Sequence, residues 1–578
     1  MLGFFSSCHR VAMSSEQLPG KRKMNRERAS RCWFFVRESN FSSRGARRLL
    51  PSVFLLSLLA TICSCAARDH AIAEQEGNRI RAEKVAQVDR FRREELISPS
   101  DPVGSKDTRT SSIEVPEILD LDSAITIATK YSRSFQSQRE SLFLSALSLG
   151  LTRRDFLRPV FDGTASFNAS DGNDQDFQDV TALSLGGSQL LFTGGSISVN
   201  VNSSLSNSSQ DISKDPATPD IQSIQSSNAS FSVSVNQPLL RGAGHDIAFE
   251  SLTQAERNLL YQARSFELFR QDFVISITEK YFRLISQQKQ LANTRENIEG
   301  QRFAWNQAKA LFRLGRGNSL DVFRAEQALL EAQNSALDSE QAFHLAIDQF
   351  KVDLGLPIDV EFILQDDFPE VTSFEMDLDA AVEAALHNRL DLRTTRDQLE
   401  DAERDLSIAT NSLLPSLDLT LGYSSAAQEK FRFSDLTIDD EVDYSVGLVM
   451  EIPLDRKSQR NSFRSAEISL DQARRELDRQ QDEVILEVRD SLRTLQQRKD
   501  QIELGEKKIQ SVTFSVEKAE IDQVRGTGTN RDVVEATNSL TDAKNDQLDR
   551  IVAHEVQLLR LHKQIGLLFV DEDGLVAK

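Results

Sequence analysis

The sequence predicts a mainly α protein with β. Two copies of a long α-helical coiled-coil hairpin each carry inserted β-hairpins, and the hairpins supply part of a transmembrane β-barrel. Three observations predict this. A register of 211 residues carries Gly315 onto Gly526, Gly317 onto Gly528, Asp321 onto Asp532 and Ala325 onto Ala536, and it carries Leu354-Gly355-Leu356 onto Ile565-Gly566-Leu567. A register held that long is an internal duplication. Heptad-like apolar spacing runs along the helix before each glycine pair, and each copy carries a region of period-two alternation.

The N-terminus stands apart. Met1 to Arg48 is basic, and Arg44, Arg47 and Arg48 precede an apolar run from Leu49 to Ile62. That run has the length of a secretory apolar region and is too short for a membrane span. It ends in Ile62-Cys63-Ser64-Cys65, which resembles a bacterial lipobox with Cys65 as the acylated residue. Met24 is an alternative start, Cys63 an alternative acceptor, and a cleaved signal with no lipid the plainer reading. The expected segments are a signal over 1–65, a flexible tether over 66–115, a first repeat over 116–360, a linker over 361–375, a second repeat over 376–570 and a tail over 571–578.

The first repeat opens with a helical pattern in which Leu121, Ile125, Ala128 and Tyr131 share a face. After Pro159 the period changes. Phe161, Gly163, Ala165 and Phe167 alternate with polar residues, as do Ile197, Val199 and Val201, and then Phe231, Val233 and Val235. Period two marks a strand with one apolar and one polar face. Gly194-Gly195 reads as a tight turn, and the Ser/Asn/Asp-rich stretch between Val201 and Phe231 as a solvated loop. Pro238 to Gly244 is a strand-to-helix corner. The long helix that follows carries a seam at Val274, Ile277, Tyr281, Leu284, Gln288 and Leu291. It reverses at Gly315 and Gly317, because glycine enters left-handed conformations freely.

The second repeat follows the same order. Leu417, Leu419, Leu421 and Tyr423 alternate with polar residues after Pro415, and Val442, Tyr444, Val446 and Leu448 do so before Pro453. A second long helix places Ile485, Val488, Leu492, Leu495 and Ile502 on its seam and reverses at Gly526 and Gly528. Pro159 to Pro238 leaves room for an extra hairpin or for one long excursion, and the spacing alone does not choose.

Strands of this length and alternation suit an outer-membrane barrel. One chain supplies too few to close one, and an open edge does not sit in lipid. Other copies of the chain must therefore complete it, with the helices continuing as a tube.

At this point the chain resembles the TolC-like outer-membrane efflux proteins. The resemblance covers about Leu119 to Leu568. Its carriers are Pro415-Ser416-Leu417, Gln237-Pro238-Leu239-Leu240, Leu354-Gly355-Leu356-Pro357 and the paired turns Gly315/Asp321 and Gly526/Asp532. It implies a homotrimer: a twelve-stranded barrel in the outer-membrane lipid above a trimeric α-barrel in the periplasm. It implies a passive exit channel for a tripartite efflux pump or type I secretion. The implied partners are a periplasmic adaptor (membrane fusion) protein and an inner-membrane RND or ABC transporter. The resemblance also places Asp532, Glu535 and Asp321 at the periplasmic entrance. It implies a closing latch from Asp321 to a Tyr and an Arg of the second turn. Those positions hold Gln523 and Gly528 here, which leaves Arg316, Arg525 and Arg531 as replacements.

The competing class is a periplasmic adaptor or coiled-coil scaffold lipoprotein, which would lack strands inserted at equivalent places in a duplicated frame. A net charge of −20 argues against a nucleic-acid partner. Cys8, Cys32, Cys63 and Cys65 are the only cysteines, so the body has no thiolate chemistry. His245, His344, His387, His554 and His562 lack ligand spacing, so no metal, cofactor or enzymatic role is expected.

Overall fold

The computed structural model describes residues 75, 77–84, 116–171, 177–211, 221–365, 368–369, 371, 374, 376–428 and 442–571. The chain divides into two compact units, Met1–Asp69 and His70–Lys578, and every described residue belongs to the second. The lipobox, Met24 and all four cysteines lie outside the described residues. Within the stretch read as a tether, 77–84 is helical. Its Ile80 is buried among Leu142, Leu149, Leu259 and Leu390, so that part of the stretch is docked.

The first copy begins with strand β1 (Ile118–Leu119), then helices α1 (Leu121–Tyr131) and α2 (Arg133–Leu157). Four strands follow: β2 (Val160–Asp171), β3 (Phe177–Leu190), β4 (Ser196–Asp211) and β5 (Ile221–Pro238). A one-turn helix α3 (His245–Ala248) leads into α4 (Glu250–Arg313), and α5 (Ser319–Leu354) returns. The second copy runs β6 (Ile363–Leu364), α6 (Leu378–Asn388), α7 (Leu390–Asn411), β7 (Ser416–Gln428), β8 (Val442–Glu451), α8 (Lys457–Arg525) and α9 (Asn530–Ile565). At 1.5 Å per residue, α4 and α8 are each about 100 Å long.

Each entry helix is split, which the apolar pattern did not reveal. Ser132 and Arg389 are extended, with φ/ψ of −62°/128° and −63°/125°. The reason is a close approach from the far end of the same copy. Gly355 and Gly566 close α5 and α9 in left-handed conformation, with φ of 79° and 77°. A Cβ on Gly355 would lie 2.1 Å from the Tyr131 carbonyl oxygen, and one on Gly566 would lie 2.7 Å from the Asn388 Cβ. Each copy is thus fastened end to beginning. The main core gathers there, with Tyr281, Ile285, Phe350 and Leu354 packed against β1 and α1. Tyr281 donates to the Leu119 carbonyl at 3.2 Å, and β1 pairs in parallel with β6.

The seams follow the expected heptads with one shift. Val274, Ile277, Tyr281, Leu284 and Leu291 are buried, whereas Gln288 is exposed and Ile285 is buried. A straight helix drifts relative to a strict heptad, which moves the contact row sideways. In α8 the buried row is Val484, Val488, Ser491, Leu495 and Ile502, with Ile485 and Leu492 half-buried beside it.

The sheet order is β2-β3-β4-β5-β7-β8, antiparallel throughout. The first copy therefore contains the extra hairpin, β3–β4, turning at Gly194 with φ of 89°. The stretch expected to be a solvated loop is mostly strand: β4 runs to Asp211 and β5 starts at Ile221. Ladder hydrogen bonds satisfy the backbone whatever the side chains, so serine and asparagine do not end the pairing.

Candidate functional site

Two features stand out: the sheet and the turns at the far ends of the long helices. In the sheet, residues directly opposite share a face. Following the register, Phe161, Leu185, Val199 and Val233 lie on the same side as Leu421 and Val446. Leu417, Leu419 and Leu448 join them. The other side collects Asp162, Ser184, Asn202, Ser232, Asp418, Thr420 and Ser445, with Val180, Ile224 and Val449 among its few apolar residues. Ser184 donates to Asn202 at 2.6 Å on that polar side. The apolar side is unpacked: Phe161, Phe167, Tyr444 and Val446 are all at least two-thirds exposed in the single chain. Phe231, Tyr423 and Tyr444 make edge-on aromatic contacts along it, at 6.1 and 5.4 Å between centroids. Nearer the strand tips the same side turns polar, where Asn207 donates to Asp179 at 2.8 Å. Apolar side chains outward, an aromatic row and polar tips form the pattern of a lipid-facing sheet.

The two helical turns are built alike. Gly315 and Gly526 have φ of 73° and 79°. Gly315 N–H donates to the Phe312 carbonyl and Arg316 N–H to the Leu311 carbonyl, at 3.0 and 2.9 Å. Gly526 and Thr527 repeat both bonds on Gln523 and Asp522. This is a Schellman closure, and only the first glycine of each pair needs the left-handed region. The second serves close approach: a Cβ on Gly317 would sit 3.0 Å from the Phe312 nitrogen, and one on Gly528 would sit 3.0 Å from the Asp522 Cβ.

The entrance candidates start the return helices. Asp532 is the third residue of a capping box: it accepts from the Thr529 N–H and hydroxyl, both at 2.8 Å. The backbone bond from Thr529, then its hydroxyl, holds the Asp532 carboxyl below the usual carboxylate range. Its carboxylate thus points back at its own helix start. Glu535 is exposed, with Arg531 at 3.9 Å. In the first copy Asn318 caps α5 through the Leu320 N–H at 3.2 Å, and Asp321 forms no ion pair within the protomer among the described residues. Gln523, where the resemblance implied a latch tyrosine, is buried and donates to Asn530 at 2.9 Å. It fastens the turn internally. That pair was not anticipated. The plain sequence reading of Asp532 is a helix N-cap beside the turn; it caps instead from the third helical position, which the Thr529-x-x-Asp532 spacing signals.

Comparison with known proteins places this architecture. Residues 157–350 and 381–567 match the outer membrane efflux protein family. Outer membrane protein TolC of Vibrio cholerae is 22% identical over 326 residues, covering 55% of this chain and 73% of TolC. The CmeC outer membrane channel of Campylobacter jejuni has a TM-score of 0.57 at 13% identity, covering 82% of this chain and 94% of CmeC. VceC of Vibrio cholerae has a TM-score of 0.55 at 14% identity, covering 77% of this chain and 96% of VceC. With the duplicated helical frame and the sheet described above, the chain belongs to the outer membrane efflux protein family.

Proposed function

We propose that this chain is the passive outer-membrane exit channel of a tripartite pump, working as a homotrimer whose helices reach into the periplasm. Outer membrane efflux proteins are trimeric channels that work with adaptors and inner-membrane transporters. The observation that carries the reading is one sheet with a continuous apolar side, mounted on helices about 100 Å long. Among the described residues no helix is long and apolar enough to cross a membrane. The apolar side of the sheet supports its reading as the membrane element. A periplasmic adaptor accepts the helical turns, and an RND or ABC transporter supplies the cargo. Repeats at 116–360 and 376–570 each contribute one turn to the entrance. Asp321, Asp532 and Glu535 stand there. Cys65 carries a lipid that holds the N-terminus at the membrane surface, which mass spectrometry of the mature N-terminus tests; a terminus without acyl mass overturns it. The channel reading is tested by membrane fractionation and planar-bilayer recording of the purified chain. Stable single-channel conductance from outer-membrane material is expected. A soluble chain without conductance would return the adaptor or scaffold reading.

A further inference from the structure

Four helices meet the sheet, and each is continuous with one strand. α2 enters β2, β5 leads to α4 through α3, α7 enters β7, and β8 leads to α8. The helices stand in that same order. Arg153 of α2 pairs with Glu256 of α4 at 2.7 Å, Arg257 of α4 pairs with Asp401 of α7 at 2.8 Å, and α7 packs along α8. In the six-stranded sheet, β3 and β4 alone have no helix of their own. They are nevertheless built into the sheet, paired along their length to β2 and β5. Their turn is seated on the start of α4. Phe192 stacks on Phe249 at 5.5 Å, and the Gly244 N–H donates to the Thr193 carbonyl at 3.2 Å. A Cβ on Gly194 would meet the Gly242 carbonyl oxygen at 2.4 Å, so the backbones touch.

The sheet ends in two edges, β2 and β8, with no partner strand among the described residues. β2 runs away from the helices and β8 back towards them, so they are oriented to pair antiparallel with another copy. The apolar side extends to both, through Phe161 and Phe167 on β2 and Tyr444 and Val446 on β8. Six strands cannot close on themselves, since the smallest closed membrane barrels have about eight.

We propose that three copies of this chain, each giving six strands, close an eighteen-stranded barrel in which β8 of one copy pairs with β2 of the next. This rests on the channel reading above and departs from the twelve strands that the family resemblance implied. The geometry favours the larger number. At a spacing of about 4.8 Å and a tilt of about 40°, eighteen strands close at a radius of about 18 Å and twelve at about 12 Å. Four helices from each of three copies, about 9–10 Å apart, form a ring of radius about 17–19 Å. The extra hairpin therefore brings the membrane pore to the width of the tube beneath it. The outer-membrane end then does not restrict cargo that has entered the tube, including bulky solutes and extended polypeptide.

Electron microscopy of the full-length chain in nanodiscs, together with polymer exclusion in bilayers, tests this. Threefold particles with eighteen strands are expected. Deleting 172–211 joins β2 to β5 through 212–220, and the polymer cutoff radius should fall by about a third, in line with strand number. A conducting threefold channel with twelve strands, or an unchanged cutoff in the deletion variant, overturns the proposal while leaving the channel reading intact. No barrel and no conductance from the full-length chain overturns both. Should the deletion variant fail to assemble, cysteine pairs in the full chain decide. Thr164→Cys, Ser166→Cys or Asn168→Cys is combined with Ser445→Cys, all on the polar side. β2 and β8 are opposite edges of one sheet, so a disulfide between them must join two copies. A covalent ladder ending at three chains is expected above the background of the parent chain; no ladder from any pair overturns the proposal.

Discussion

Gly355 and Gly315 share a left-handed φ but not a neighbourhood. Around Gly315 a Cβ would meet nothing within 4 Å, whereas on Gly355 it would collide with the Tyr131 carbonyl. Gly315→Ala therefore bears only the conformational cost, about 1–2 kcal/mol. Gly355→Ala must also move the break between α1 and α2, for a loss on the order of 3–5 kcal/mol. Thermal unfolding of the purified assembly should separate the two clearly, and equal losses would show that the fastening is dispensable. Asp532 gives a pH prediction. Its folded pKa lies below its ordinary value of 3.8. The capping box therefore stabilises fully above that value and is lost as pH falls through the depressed one. Hydrogen exchange in the first turn of α9, corrected for intrinsic rate, should rise over that acidic window. In Asp532→Ala it should already be raised at neutral pH. A mutant indistinguishable from the parent would remove the cap from the account.

At the scale of elements, the alternation in β7 sets a sharp contrast. Leu419 lies on the apolar side, opposite Leu448, and Thr420 on the polar side, opposite Gly447. A lysine at Leu419 should cost roughly 2–4 kcal/mol near the bilayer midplane, and one at Thr420 little. Yield of heat-resistant oligomer measures this, and equal tolerance at the two sites would mean that the sheet does not face lipid. Which elements were legible follows from what each needs. The long helices and their turns were readable because heptads and glycines are local signals. β7 and β8 were readable because their apolar side is dense. β3 escaped notice because Gly186 and Gly187 stand where its alternation should be clearest. The ends of β4 and β5 escaped because serine, asparagine and glutamine dominate them, and only a neighbouring ladder makes them strands. The breaks at Ser132 and Arg389 carry no local signal at all; they are imposed by a glycine over 170 residues away in each copy.

For the whole molecule the proposed entrance carries a prediction about charge. If copies surround one axis, Asp532 and Glu535 recur around it with Asp321 nearby. Like charges about 8 Å apart repel by only about 0.5 kcal/mol in water, so the ring acts chiefly on ions. Replacing Asp532 and Glu535 together with alanine should lower cation preference and weaken block by divalent cations. Reversal potentials in a salt gradient read this directly. An unchanged potential and unchanged block would place the constriction elsewhere and leave Asp532 as a helix cap alone.

The helix-free hairpin also obeys a parity rule. Adding one strand between β2 and β5 would deliver the chain to the cell exterior, where α4 has no place. Adding two returns it to the side from which it left, so the helical frame need not change. Pore width in such an architecture can therefore evolve only in whole hairpins. Each such hairpin must also seat its turn against the helical frame, as the Gly194 turn does against Gly242 and Phe249.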